Sequence, residues 1–452
     1  MEVKPQHYRL NYSQDIIYLQ TKYTLFKRVV NIVFSITCEE GFDTAVMEEA
    51  LKLLYQRNDC LRLHFVKEGK EVRQWFAAEA KTGKIRQMNF DTPSKMDAFI
   101  KKFRKRPIDI YKGETLEVVF ANNPDGKQVL ICKVSHFVAD TYGIGILVND
   151  LFGVYKALKE GTELPPAPGS FEEVVRKDNE YRDNEELTAK DREFFQDYYT
   201  KRHPDEPMYC GVHGNNSDRW LKYKRKGQHW LPYLFVKCDT SGYQFVIPKA
   251  LGEKVEKWCT ENSIPMGSFF YYACALTTSL LNDREPYQLA LELLNCRGTV
   301  ADRKAAGTKV QSLGIYNVVD YGKSFLQNIQ ELYAEQTELY RHTRLTYLEM
   351  EAMQHKQWNF SMLGSLVNYC FSFIPFSTPE GISLQVHSNG KGALVCYMAM
   401  MMDMRTHEIF INYDVQDKMV SALQLVDFQN KYIHVIETVL DNSTDNLETV
   451  FA

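Results

Sequence analysis

The hydrophobic and polar positions of this chain fall into a few clear rhythms, of which residues 127–159 are the most legible. Residues 129–134 are a β-rich apolar run and predict a buried strand. Residues 135–143 are a polar, glycine-bearing break, and residues 144–158 are mostly apolar at helical spacing. The rhythm before this stretch predicts a strand over 29–36 and an amphipathic helix over 43–58, with Asp43 or Thr44 near its start. After it, Pro165, Pro166 and Pro168 stop the helix and predict an extended connector, followed by charged helical structure over 171–202. The later chain reads as a strand at 243–247, an amphipathic helix at 250–262 and a strongly apolar helix from 263 to about 281. A strand over 286–297 and a helix over 325–341 follow. Residues 366–375 form a buried strand with Asn368 and Ser372 as its polar exceptions, and the chain closes with a strand at 409–413 and a long helix at 420–440.

With 452 residues and 44% apolar content the chain can bury a sizeable core and is long enough for two domains. The composition shift after residue 158 places their division near 170, giving domains over 1–170 and 171–452. A net charge of -4 and a pI near 6.3 give no reason to expect nucleic acid. The ten cysteines are scattered without a Cys-x-x-Cys, as in a reduced, cytoplasmic protein. No apolar run approaches about eighteen residues and the N-terminus is polar, so neither signal peptide nor membrane span is expected. Residues 101–107 are a basic run suited to a solvated helix end, or to contact with an acidic partner or phosphate.

Chemistry concentrates at the strand end, where Ser135, His136 and Asp140 lie close together. A serine hydrolase is one reading, but neighbouring side chains on a strand point to opposite faces, and no Gly-x-Ser-x-Gly elbow is present. A metal site is a second, but there is no His-Glu-x-x-His, no Cys-x-x-Cys and no evident third ligand. A third is purely structural: His136 a satisfied core residue and Asp140 the cap of the following helix.

The same residues support a fourth reading. His136-x-x-x-Asp140 after a strand, followed by an aromatic residue and a long amphipathic helix, resembles the active-site motif of the chloramphenicol-acetyltransferase-like superfamily. The resemblance is strongest to nonribosomal peptide synthetase condensation domains, whose usual pattern is His-His-x-x-x-Asp-Gly. Ser135 stands in place of the first His and Thr141 in place of the Gly. Other matches occur in family order: a partial Ser-x-x-Gln helix motif at Ser13, then Arg57, Leu61, Arg62 and Phe65. The region from Arg106 through Gly113 to Leu116 comes next, then the strand ending near Arg297 and the segment 313–319. A helix leading to His342 completes the order, without the family's neighbours of that histidine.

The resemblance implies an α/β (α+β) fold of two acetyltransferase-like halves arranged as a V with a tunnel between them. It implies an amide-forming condensation enzyme, with His136 as general base or positioning group and Asp140 and Arg297 as a structural ion pair. Ser135, Thr141, Tyr142, Gly143, Asn368 and Ser372 become candidate tunnel residues. The donor would be an acyl or aminoacyl thioester on the phosphopantetheine arm of an acyl or peptidyl carrier protein supplied in trans, or on CoA. The acceptor would be an amine-bearing small molecule or a second carrier protein. No bound cofactor, metal, nucleic acid or membrane is expected, and the family expectation is a monomer. Thr141 adds β-branched bulk beside the proposed centre. An acyl-CoA-dependent O- or N-acyltransferase and a catalytically inactive recruitment domain are the alternatives.

Overall fold

The computed structural model describes residues 5–23, 26–79, 82–83, 85–201, 239–357, 369–392, 396–417 and 420–452. In chain order its elements begin with β1 (Tyr8–Arg9), α1 (Tyr12–Tyr23), β2 (Asn31–Cys38), α2 (Thr44–Arg57), β3 (Leu63–Glu68), β4 (Glu71–Phe76), β5 (Arg86–Asn89) and α3 (Pro93–Phe103). They continue with β6 (Leu116–Asn122), β7 (Gln128–Ser135), α4 (Thr141–Glu160), α5 (Phe171–Asp183), α6 (Glu185–Lys201), β8 (Thr240–Val246), α7 (Lys249–Asn262), α8 (Met266–Leu281) and β9 (Tyr287–Asn295). The remainder is α9 (Val300–Lys304), β10 (Val310–Val318), α10 (Phe325–Arg341), α11 (Tyr347–Gln357), β11 (Tyr369–Phe376), β12 (Ile382–His387), β13 (Cys396–Asp403), β14 (Ile409–Gln416), α12 (Ala422–Asp441) and α13 (Leu447–Val450).

Contacts divide the chain into two compact units. The first holds Met1–Glu185, Asn295–Val310 and Phe376–Lys391; the second holds Glu186–Leu294, Gln311–Pro375 and Gly392–Ala452. A single cut near residue 170 does not describe this division, because α5 and two later stretches group with the first unit. The cause is local. Asp59 caps the start of α5 by accepting from the Phe171 and Glu172 amides at 2.8 and 3.0 Å, and Asn179 of α5 bonds the backbone of Arg9 in β1.

In the first unit a five-stranded sheet runs β12-β2-β7-β6-β5, and a three-stranded sheet runs β1-β4-β3. Strand β7 lies between β2 and β6, antiparallel to both, with Asn31 opposite Ser135 at its end. Residues 129–134 are all buried, which explains their near-continuous apolar character. Lys133 is the exception. Its ammonium is fully buried, 2.8 Å from Glu117 and 4.3 Å from the centre of the Phe103 ring, and it donates to the Phe103 and Arg106 carbonyls. Helices α2 and α4 pack together over this sheet, and Arg57 locks them: its guanidinium forks onto Asp150 of α4 at 2.8 and 3.1 Å and donates to the Pro165 and Pro166 carbonyls. Thus the Pro-rich connector is extended because an arginine from α2 holds its backbone.

The second unit is built on a six-stranded sheet of order β10-β9-β11-β13-β14-β8. Helix α8 forms its core, with Phe269 to Ser279 all buried. Helices α10 and α12 begin with reciprocal capping boxes, Ser324 with Gln327 and Ser421 with Gln424. Among the described residues no single helix is long and apolar enough to cross a membrane.

Candidate active site

The site grows from the end of β7. Its last residue, Ser135, is buried, and the chain then turns tightly: the Val138 and Ala139 amides both donate back to the Ser135 carbonyl, at 2.9 and 3.3 Å. Helix α4 then starts at Thr141. Asp140 is its N-cap, accepting from the Gly143 amide at 2.7 Å. The loop carrying His136 is therefore fixed at both ends by hydrogen bonds that the local sequence supplies.

Long-range contacts fix its middle. The His136 amide donates to the Val30 carbonyl at 2.8 Å, and the His136 carbonyl accepts from the Thr308 hydroxyl. Gln14 of α1 donates to the Phe137 carbonyl at 3.0 Å and pairs with Gln74 of β4. Thr308 is itself held, its carbonyl accepting from the Asn11 side chain at 2.9 Å. His136 cannot move without breaking contacts from three separate stretches of chain.

Asp140 and Arg297, expected to pair, do so. Arg297 donates to both carboxylate oxygens, at 2.9 and 3.1 Å, and the two side chains are only 1% and 7% exposed. Asp140 also accepts from the Lys309 amide at 2.7 Å, while Arg297 donates to Asn295 at 2.7 Å and to the Gly307 carbonyl. Four donors thus saturate the carboxylate and leave it no capacity for the imidazole. The guanidinium also lies 4.8 Å from the Tyr142 ring centre.

The His136 ring is half-buried, and its Nδ1 is buried with no hydrogen bond to another residue. Burial lowers its pKa below the ordinary 6.5, and a hydrogen bond to its own backbone and, less, the Asp140 charge oppose this only in part. A neutral imidazole, free to accept a proton, is the form this environment favours near neutral pH.

The other candidate residues separate. The Ser135 hydroxyl accepts from the Phe137 amide at 3.4 Å, which turns it into its own loop. Thr141 occupies the first turn of α4 and is not among the residues with positive φ, so its β-branch meets no backbone conformation reserved for glycine. Tyr142 donates to the Arg303 carbonyl at 3.4 Å. Gly143 is required by close approach: a Cβ there would stand 1.9 Å from the Ala306 carbonyl oxygen. Ser372, in the second unit, bonds the Tyr397 hydroxyl at 2.8 Å, and His342 of that unit bonds Asp191 at 2.7 Å while stacking on Phe194. Asn368 lies outside the described residues.

Sequence reasoning missed the second tier. Lys309 is buried, with its ammonium 3.3 Å from Asp178 and 3.7 Å from Asp302, and Asp302 closes a capping box with Thr299 at the start of α9. Only the Thr299-x-x-Asp302 spacing was a readable signal. Among the described residues no group of three or more His, Cys, Asp or Glu gathers as metal ligands.

This combination defines an α/β protein of two units in which a strand-end histidine stands beside a buried carboxylate–guanidinium pair. Residues 4–208 match the family model for the condensation domain. The solved starter condensation domain of rhizomide synthetase RzmA, a mutant in complex with C8-CoA, superposes with a TM-score of 0.80 at 18% identity, covering 98% of this chain and 97% of that one. The condensation domain from the monacolin K polyketide synthase MokA gives 0.81 at 13% identity, covering 98% and 99%. By sequence, a plipastatin synthase polypeptide from Bacillus subtilis (strain 168) is 20% identical over 442 residues, 96% of this chain but 16% of that protein. Bacitracin synthase 3 from Bacillus licheniformis is 23% identical over 186 residues, 40% of this chain and 3% of that protein. The chain thus spans a sixth or less of the length of these curated relatives. Its residues 4–208 resemble the condensation domain by sequence, and 98% of its length shares the fold of solved condensation domains.

Proposed function

We propose that this chain catalyses amide formation by acyl transfer from a thioester to an amine, with His136 at the reacting centre. The amine nitrogen attacks the thioester carbonyl, the C–N bond forms, the C–S bond breaks, and the amine's proton passes through His136 to the departing thiolate. The observation that carries this reading is the His136 ring itself: half-buried, shifted toward its neutral form, and bonded to no other residue at Nδ1, on a loop locked from both sides. Such a base, its pKa below 6.5, is available throughout the neutral range and contributes roughly 10²–10⁴-fold. Holding thioester and amine in register supplies a further part of the acceleration.

Asp140 acts as architecture in this scheme. Its carboxylate is saturated by Arg297, Gly143 and Lys309, so it fixes the start of α4 and hence the loop, without orienting the ring. The donor is a phosphopantetheine thioester on a carrier protein. Acyl-CoA is the second reading, favoured by the C8-CoA complex of the rhizomide synthetase domain.

The test is intact-mass detection of acyl transfer from acyl-loaded carrier proteins and, separately, acyl-CoAs to a panel of amines, with wild type beside His136→Ala. Transfer from the carrier that disappears in the variant supports the proposal, and transfer from CoA alone moves the donor to CoA. Product formed equally by a folded His136→Ala protein sinks the role of His136. The acid limb of kcat/KM is expected below pH 6.5.

A further inference from the structure

In the first unit the His136 loop is also held from a distant stretch of chain that follows β12. Strand β12 runs along the edge of β2 opposite β7, from Ile382 against Cys38 to His387 against Val33, and this ladder stops short of Asn31, where β2 begins. The chain then leaves in a tight turn over Ser388, Asn389 and Gly390. Gly390 adopts a positive φ of 75°, and a Cβ on it would stand 2.9 Å from the Arg104 guanidinium. Its amide donates to the Ser388 hydroxyl at 3.1 Å, while Arg104 donates to the Ser388 carbonyl.

Asn389 takes over where the ladder ends. Its side-chain oxygen accepts from the Lys391 amide at 2.8 Å, which fixes the carboxamide within the turn and aims its NH2 group at β2. That group donates to the Val29 carbonyl at 2.9 Å and to the Asn31 carbonyl at 3.4 Å. The carbonyl between these two, that of Val30, faces the other way, toward β7, and accepts from the His136 amide at 2.8 Å. Val29 and Val30 end a 3-10 turn over Lys27–Val30 and lie outside the β2 ladder, so no strand pairing holds them in register. Asn389 grips the backbone on both sides of the group that holds His136.

A polar residue at the end of an edge strand is ordinarily there to close its own turn, and the bond from the Lys391 amide alone would do that. The two donors spent on the carbonyls flanking Val30 go further. We infer that Asn389 is a positioning residue for His136, acting through the Val30 carbonyl, and that it sets how closely the imidazole meets the reacting atoms. The inference rests on His136 as the group at the reacting centre. Loss of the grip lets the 29–31 backbone drift, and the His136 amide drifts with it. Displacement of a reacting group by about 1 Å can cost on the order of 10²-fold in rate.

The experiment compares wild type, Asn389→Asp and Leu384→Ala in the intact chain. Asn389→Asp keeps the oxygen that accepts from Lys391 and removes both donors. Leu384→Ala, on the same strand opposite Ile36 and packed against the core of the unit, is the control for a general loosening of β12. Hydrogen exchange of the His136 amide, followed by mass spectrometry with single-residue fragmentation, is read without any substrate. It is expected to be roughly tenfold faster or more in Asn389→Asp. In the acyl-transfer assay that variant should lose about ten- to hundredfold in kcat with KM within about twofold of wild type. Leu384→Ala should lower the melting temperature at least as far while leaving kcat near that of wild type. Unchanged exchange at His136 in Asn389→Asp, an unchanged kcat in that folded variant, or an equal loss of kcat in Leu384→Ala would overturn the inference. A wild type that transfers no acyl group would instead remove the acyl-transfer reading, and the exchange of the His136 amide would still decide whether Asn389 positions it.

Discussion

Replacing Arg297 by methionine removes the cation from a carboxylate that is almost fully enclosed. The side chains of Arg297 and Asp140 are 1% and 7% exposed, so water cannot take over the guanidinium's role without opening the loop. Stranding one member of a buried pair costs on the order of 3–5 kcal/mol. Here Asp140 keeps the Gly143 and Lys309 amides at 2.7 Å each, which shield part of the stranded charge and move the expectation to about 3 kcal/mol. Asp140→Asn leaves the reciprocal charge stranded and should cost a similar amount. Because the two substitutions remove the same interaction, the double variant should fall well short of the sum, with a coupling of at least ~1 kcal/mol. Urea unfolding followed by far-UV circular dichroism and tryptophan fluorescence measures the global term. Hydrogen exchange of the Gly143 and Lys309 amides supplies the local one, since Arg297→Met should loosen both while their acceptor is still present. An Arg297→Met protein within about 1 kcal/mol of wild type, or strict additivity in the double variant, would refute the claim that this pair organises the site.

Two further predictions concern the same physical balance. Gly143→Ala puts a Cβ 1.9 Å from the Ala306 carbonyl oxygen, a clash with backbone that side-chain rotation cannot relieve, so it should destabilise by about 1–3 kcal/mol and lower acyl transfer; thermal melting and the intact-mass assay check both, and a variant of wild-type stability and activity would contradict the close approach. Glu292 in the second unit is buried, held by Tyr340 and Gln336, and burial pushes its pKa up to about 7. A raised folded pKa gives stability that is fully present below the ordinary 4.5 and is lost as pH rises through about 7, by about 3 kcal/mol in all. Glu292→Gln should remove that slope, and unfolding measured at both ends of the window tests it; an unchanged slope would be fatal to the assignment.

The fold was largely legible because its signals are local. The apolar run at 129–134, the polar break and the helix that follows became β7, the His136 loop and α4, and the expected helix over 43–58 became Thr44–Arg57 beneath an Asp43 cap. Such boundaries follow from periodicity and capping chemistry, which act within a few residues. The unit division was less legible. Whether α5 belongs with what precedes or follows it depends on Asp59 and Asn179 meeting partners more than a hundred residues away, and no rhythm in the chain records that. The same holds for Thr308, Gln14 and Lys309. Each reaches the site through tertiary contact, and each looks in sequence like an ordinary polar residue.

The geometry also separates two roles that the short His-x-x-x-Asp spacing invites one to join. In a serine-protease arrangement the carboxylate would receive the imidazole N–H and fix the ring. Here the Asp140 oxygens are taken by Arg297, Gly143 and Lys309, while His136 Nδ1 bonds no other residue. Asp140 therefore sits behind the loop, tying the start of α4 to residues 297–309, and the ring depends on its backbone for position. The Val30 carbonyl and the Thr308 hydroxyl hold that backbone from two sides, and Gln14 holds the residue after it. A ring bonded to no other side chain but spatially fixed is suited to a proton that arrives only with a substrate. A carboxylate partner would raise the imidazole pKa and keep it protonated further into the neutral range, opposing the shift that burial produces. The separation of the two residues is thus what permits a neutral histidine at this position.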